Sequence, residues 1–203
     1  MSEFQYKAIG YHGCFASTAA EVDENGVESW SESSAGGLGP GLYFWDNDHS
    51  TGRWWARQAC KGAGGSSPGL LKALISLDDA LDLTNVFGQN ALQRLHKLAL
   101  QREATQSELD ALKTDGMSPL AALIHLVLKK MEEQAGRSFS SIRVPVHTND
   151  THNTMQVLSQ EERDDGASNG DAPELGLTVG FRMVILVLDK NAIESIEQVE
   201  VNQ

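Results

Sequence analysis

Apolar residues follow two rhythms along this chain: short runs bounded by Gly, Asn, Asp and Ser, and longer stretches at helical spacing. Residues 5–11 read as a first strand that ends at His12-Gly13. Residues 16–36 are polar and rich in Ser, Gly and Glu, which predicts a loop with a short helix around 19–22. A second strand over 41–45 follows a glycine cluster, and Asp46-Asn47-Asp48 then supplies turn and N-cap chemistry. Over 51–60, Trp54, Trp55 and Ala59 keep helical spacing, with Gly62 placed as a stop.

Residues 61–69 have the composition of a flexible connector, and 70–77 read as a buried strand closed by Asp78-Asp79. The middle of the chain is helical. One helix is predicted over 89–102, and a second from Thr105, where Glu108 three residues on completes a capping box. A third begins at Ser118-Pro119, since Pro is tolerated at the first helical position. Its residues Leu120, Leu123, Ile124, Val127, Leu128 and Met131 hold helical spacing to about 135. Strands return over 139–146, 182–188 and 193–201, the last an imperfect alternation of apolar and acidic residues, as a half-exposed strand would show.

The polar stretch 147–176 carries Glu161, Glu162, Asp164 and Asp165, and predicts a long mobile acidic loop. A structureless loop of that length in a compact domain is functional or disordered. The order of strands, helices and strands predicts a mixed α+β fold rather than alternating βαβ units. A chain of 203 residues suits a single domain over 1–203, with 88–135 as a helical insertion.

Composition narrows the partners. A net charge of −12 argues against a broad electrostatic footprint for nucleic acid, though Arg53, Arg57 and Lys61 leave room for a local basic patch. The two cysteines, Cys14 and Cys60, lack metal-ligand spacing and read as small buried hydrophobes. No apolar run reaches the roughly 18 residues of a membrane span, so no membrane association is expected. Residues 1–7 carry neither a basic region nor an apolar signal core, which makes the cytoplasm the expected location.

The candidate chemistry lies in two runs, Gly10-Tyr11-His12-Gly13-Cys14 and Gly37-Leu38-Gly39-Pro40-Gly41-Leu42-Tyr43-Phe44-Trp45. Each sets one polar aromatic residue in a strand-like run beside glycines, which let something approach the main chain with no Cβ in the way. A His and a Tyr delivered from two strands can wall a slot for a flat polar ligand. Taken singly, a His-Gly at a strand end is equally a structural histidine, and a glycine-rich turn before Tyr-Phe is equally a tight hairpin.

Together these runs resemble the ADP-ribosyltransferase superfamily, in its H-Y-E (poly-ADP-ribose-polymerase-like) branch. The run from Leu38 to Asp48, followed by Trp54-Trp55-Ala56, is similar to small bacterial and phage members, and so is the stretch from Leu74 to Thr84. The resemblance implies an ADP-ribosyltransferase-like fold of two small sheets around a cleft for NAD, which is the substrate, with no metal. It implies that His12 bonds the nicotinamide ribose, that Gly13 offers its backbone to the carboxamide, and that Tyr43 stacks on the nicotinamide ring. Gly41 is a further candidate NAD contact, and Ser17 and Thr18, after the His-Gly pair, are equally NAD contacts or residues of a local turn. The implied reaction is transfer of ADP-ribose to a macromolecular acceptor, a protein before a nucleic acid, as a toxin, effector or conflict-system enzyme. Such a protein can have an antitoxin or immunity partner and can be delivered into a target cell.

The third element of that pattern departs from the branch. The late strand should carry Glu, Gln or another residue at its start, but counting back from Ile193 the position falls near Val184, which is apolar. Either the register slips and Glu174 occupies the site, or Glu161 or Glu162 of the acidic loop swings in, or the third position is lost. Glu174 is the candidate carried forward beside His12 and Tyr43. His147 and His152 with Asp150 have a spacing too unspecific for a metal site. Arg53 and Arg57 stand one helical turn apart, as a phosphate contact or a solvated helix face.

Overall fold

The computed structural model describes residues 5–31, 37–61, 66–114, 118–148, 155–156 and 181–201. Among them run β1 (Lys7–Phe15), α1 (Ala16–Asn25), β2 (Leu42–Asp46), α2 (His49–Cys60), β3 (Pro68–Ser76) and β4 (Ala80–Asp82). The helices α3 (Val86–Gln101), α4 (Glu103–Thr114) and α5 (Pro119–Ala135) follow. The chain then returns to the sheet through β5 (Ser141–Thr148), β6 (Met155–Gln156), β7 (Phe181–Val187) and β8 (Ile193–Val199).

The expected mixed α+β character is observed, but the two expected sheets are not. A single open sheet has the order β4-β5-β7-β2-β1-β3-β8, with β6 paired to β5. The reason is a narrow joint. β2 pairs with β7 along Leu42–Trp45 yet touches β1 only at Gly10↔Asp46 and Tyr11↔Trp45. Those two pairs suffice to make the path continuous. The joint is reinforced where Asn47, at φ 51°, turns the chain so that its N–H donates to the Ile9 carbonyl at 2.7 Å. Asp46 is neutralised there by Arg143, whose Nε donates at 2.7 Å.

Both faces of the sheet are covered, which explains why residues 183–187 of the central strand β7 read as an unbroken apolar run rather than an alternating one. On one face Ala19 and Val22 of α1, together with Trp30, bury Phe44, Leu71, Ala73, Ile75 and Ile185. On the other, Ile124 and Val127 of α5 pack on Trp45, Ile142, Val144, Val184 and Leu186. Each buried Val, Leu, Ile or Phe among these contributes roughly 1.5–3 kcal/mol by leaving water.

The helical segment expected at 88–135 is α3 to α5, and its place has a physical reason. β4 and β5 are parallel neighbours, Ala80↔Ser141 to Asp82↔Arg143, and parallel strands require a long crossover between them. Ser118 caps α5 by accepting from the Ala121 N–H at 3.1 Å and Pro119 opens it, as the sequence predicts, and Gly136 ends it in the left-handed region.

Several boundaries are corrected. β1 does not stop at His12-Gly13 but runs to Phe15, because β3 pairs it as far as Pro68. α1, Ala16–Asn25, is longer than the short helix expected around 19–22 and takes up part of the expected loop over 16–36. α4 begins at Glu103, so Thr105 lies inside a helix and its capping box with Glu108 does not form the N-terminus. β5 continues to Thr148, and His147 and Thr148 pair with Gln156 and Met155, so the expected loop at 147–176 contains strand pairing. The rest of that loop, with Gly62, lies outside the described residues.

Candidate functional site

The site begins where β1 and β2 part. Beyond Tyr11↔Trp45, β1 stays with β3 and β2 stays with β7, so the two central strands lose their shared ladder at His12 and Phe44. The His12 side chain bridges this opening: its Nδ1 lies 2.7 Å from the Tyr43 carbonyl oxygen. A carbonyl only accepts, so Nδ1 carries the hydrogen and Nε2 is left as the acceptor of the neutral ring.

Desolvation keeps that ring neutral. Burial lowers the His12 pKa to about 4, against the smaller upward pull of the bond to Tyr43. The surroundings are aromatic. Trp30 meets the imidazole edge-on at 4.5 Å and Phe44 at 6.1 Å, and the two rings meet each other at 5.6 Å. Trp30 is held in turn by Lys190, whose Nζ donates to its carbonyl at 2.8 Å. Trp30 is a neighbour of the candidate site that the sequence reading passed over; its signal was a lone aromatic in a Ser- and Glu-rich stretch.

Tyr43 is anchored at its far end. Its Oη donates to the Gly39 carbonyl and accepts from the Leu38 N–H at 3.1 Å. Burial pushes the phenol up to about 12, offset in part by the Leu38 bond. Side chains alternate along a strand. Accordingly Phe44 joins the core face that carries Trp30, whereas Tyr43 packs with the face that carries Trp45. His12, whose ring meets Trp30 and Phe44, is thus joined to Tyr43 through the Tyr43 main chain, with the two rings on opposite faces of β2.

The two glycines of the predicted site have structural neighbours of their own. A Cβ on Gly13 would stand 2.2 Å from the Gly52 carbonyl oxygen and 2.3 Å from the Ala56 nitrogen, so α2 occupies the space that its missing side chain leaves. At Gly41, φ is 143° and a Cβ would meet Leu186 and the Val187 carbonyl. Ser17 is exposed in the first turn of α1.

Val184, near the expected third position, is 1 % exposed within the core, paired with Trp45 on one side and Val144 on the other. Glu174, Glu161 and Glu162 lie outside the described residues. Arg53 and Arg57 lie on α2, Arg57 exposed and Arg53 half-buried with its Nε in the interior. Cys14 is buried, its thiol pushed up to about 11 by desolvation, whereas Cys60 is only half-buried, contrary to expectation.

Among the described residues no group of three or more His, Cys, Asp or Glu side chains could hold a metal ion; Asp150 and His152 fall outside them. No helix among the described residues is long and apolar enough to cross a membrane. Comparison of the chain with models of protein families, with curated proteins and with solved structures finds no match.

Proposed function

We propose that this protein is an NAD-dependent ADP-ribosyltransferase that modifies a macromolecular acceptor, a protein before a nucleic acid. The single observation that carries the reading is the His12–Tyr43 bridge at the parting of β1 and β2. It joins the two residues on which the resemblance rests and leaves a neutral imidazole with a free acceptor nitrogen. Such a nitrogen suits a ribose hydroxyl, which must donate. The Tyr43 ring suits a planar pyridinium, through stacking and cation–π attraction.

In the reaction proposed, the bond between nicotinamide and C1′ of the ribose breaks and nicotinamide leaves with its electron pair. Positive charge builds on the ribose as in glycoside cleavage. A nucleophile of the acceptor bonds to C1′ and releases a proton to solvent or a carboxylate. Glu174 is the carboxylate proposed for this role, and Gly13, Gly41 and Ser17 are proposed NAD contacts. The biological setting proposed, a toxin, effector or conflict-system enzyme acting in a cytoplasm and held by an antitoxin or immunity partner, rests on fold-family analogy alone.

One observation favours a second reading. Val184 is sealed in the core, which suits a degenerate relative that binds NAD or a protein without catalysis. Incubation with labelled NAD and a cell lysate, followed by protease or nuclease digestion, separates the cases. Label on protein, lost in His12→Ala and Tyr43→Ala, is the expected outcome. Nuclease-sensitive label would mean a nucleic-acid acceptor, calorimetric binding of NAD without turnover the NAD-binding degenerate relative, and neither NAD binding nor NAD loss would sink both of these and leave only a relative that binds a protein.

A further inference from the structure

The helical segment reaches the turn before Tyr43 through His125 and Ser118. His125, on α5, places Nε2 at 2.9 Å from the Leu38 carbonyl oxygen, so Nε2 carries the hydrogen and donates. Leu38 is 0 % exposed and lies outside the sheet ladder, yet both its main-chain groups are satisfied by side chains. Its carbonyl accepts from His125 and its N–H donates to Tyr43 Oη. Tyr43 Oη then donates to the next carbonyl, that of Gly39. At the N-cap of α5, Ser118 Oγ donates to the Gly37 carbonyl at 2.9 Å.

A second feature points the same way. A Cβ on Gly39, at φ 99°, would stand 2.4 Å from His125 Nε2. The nearest neighbour of the space above Gly39 is therefore the His125 ring, and a residue with a side chain would push it away. The Gly37-Leu38-Gly39 turn is shaped to receive α5.

We propose that α5 sets the pose of the Tyr43 ring through this relay, which makes His125 a positioning residue for the site. The proposal deepens the NAD reading and rests on it for the ligand. With Oη held as both donor and acceptor, the phenol has little freedom left, and a stacking platform already ordered binds a flat cation at lower entropic cost.

The chain has three tyrosines, Tyr6, Tyr11 and Tyr43, so 3-fluorotyrosine labelling gives three fluorine resonances, assignable by Tyr→Phe variants. His125→Leu should shift or broaden the Tyr43 resonance and leave the other two in place. His125→Gln, whose amide can still donate, should restore it, and Ser118→Ala should move it less. In NAD hydrolysis, His125→Leu should raise KM for NAD about five- to tenfold, as loss of one hydrogen bond implies, with kcat held within about twofold and with rescue by Gln. An unmoved Tyr43 resonance in His125→Leu, or failure of Gln to restore it, overturns the relay. A moved and rescued resonance in a protein that neither binds nor consumes NAD upholds the relay and overturns the NAD reading.

Discussion

The His12 imidazole donates from Nδ1 to the carbonyl oxygen of Tyr43 at 2.7 Å, across the gap where the two central strands separate. A side chain there does what a sheet ladder does elsewhere. It satisfies a main-chain carbonyl, fixes the ring's tautomer, and ties the two parts of the site to one geometry. Burial, against the pull of this bond, keeps the ring neutral, and that has a measurable consequence.

The folded His12 has a pKa of about 4 against 6.5 in an open chain. Between those values the unfolded state binds a proton that the folded state refuses, so this contribution favours folding less as pH falls. The full cost is about 3 kcal/mol, nearly absent above the unfolded pKa and complete below the folded one. From about pH 7 to about pH 5, wild type should lose about 2 kcal/mol more in urea unfolding than His12→Gln. Parallel pH profiles would show that the ring is not desolvated.

Gly13→Ala should destabilise the fold by about 3 kcal/mol, because the added methyl group would collide with main-chain atoms of α2, which cannot rotate aside. The urea midpoint measures this without any ligand. A midpoint like that of wild type would mean that α2 stands further from β1 than 2.2 Å from a Gly13 Cβ implies.

Asp48 caps α2 through the Thr51 N–H at 3.0 Å and also accepts from Thr51 Oγ1, Ser50 and Arg182. Burial opposes its charge, but these four donors together hold its carboxyl below the usual range. Asp48→Ala should cost about 1–2 kcal/mol. The wild-type advantage should fade as pH drops through the carboxylate range, since a depressed pKa contributes stability only while the group is ionised in the fold. Thermal melts of both proteins at neutral and acid pH read this out.

Val184 and Glu174 divide the question of the third site element. Val184→Glu should cost about 4 kcal/mol or more, as an unpaired carboxyl forced into the core, and should not create activity. Glu174→Gln should lower ADP-ribose transfer by about a hundredfold with stability unchanged, if that carboxylate acts in the transition state. Transfer undiminished in Glu174→Gln removes Glu174 from the site.

Much of the molecule was legible in the sequence because it depends on near neighbours. The apolar spacing of 120–131 and the Ser118-Pro119 start located α5, and the apolar run from Met183 to Leu188 located β7. Asp46-Asn47-Asp48 announced both the turn and the α2 cap. His12 and Tyr43 were legible as a pair through the residues around them.

What required the tertiary structure is what distant segments impose on one another. Local pattern could not say that β1 and β2 share only two residue pairs, that Gly13 is bare because α2 crosses it, or that Val184 is sealed by strands on both sides. Nor could it join His125 to Leu38, 87 residues away. Local pattern told where most of the strands and helices form and which residues stand as candidates for chemistry, since periodicity and caps act over one or two turns. The fold alone decided strand order, the His12 tautomer and the seat of Tyr43, because hydrogen bonds and burial depend on which surfaces meet.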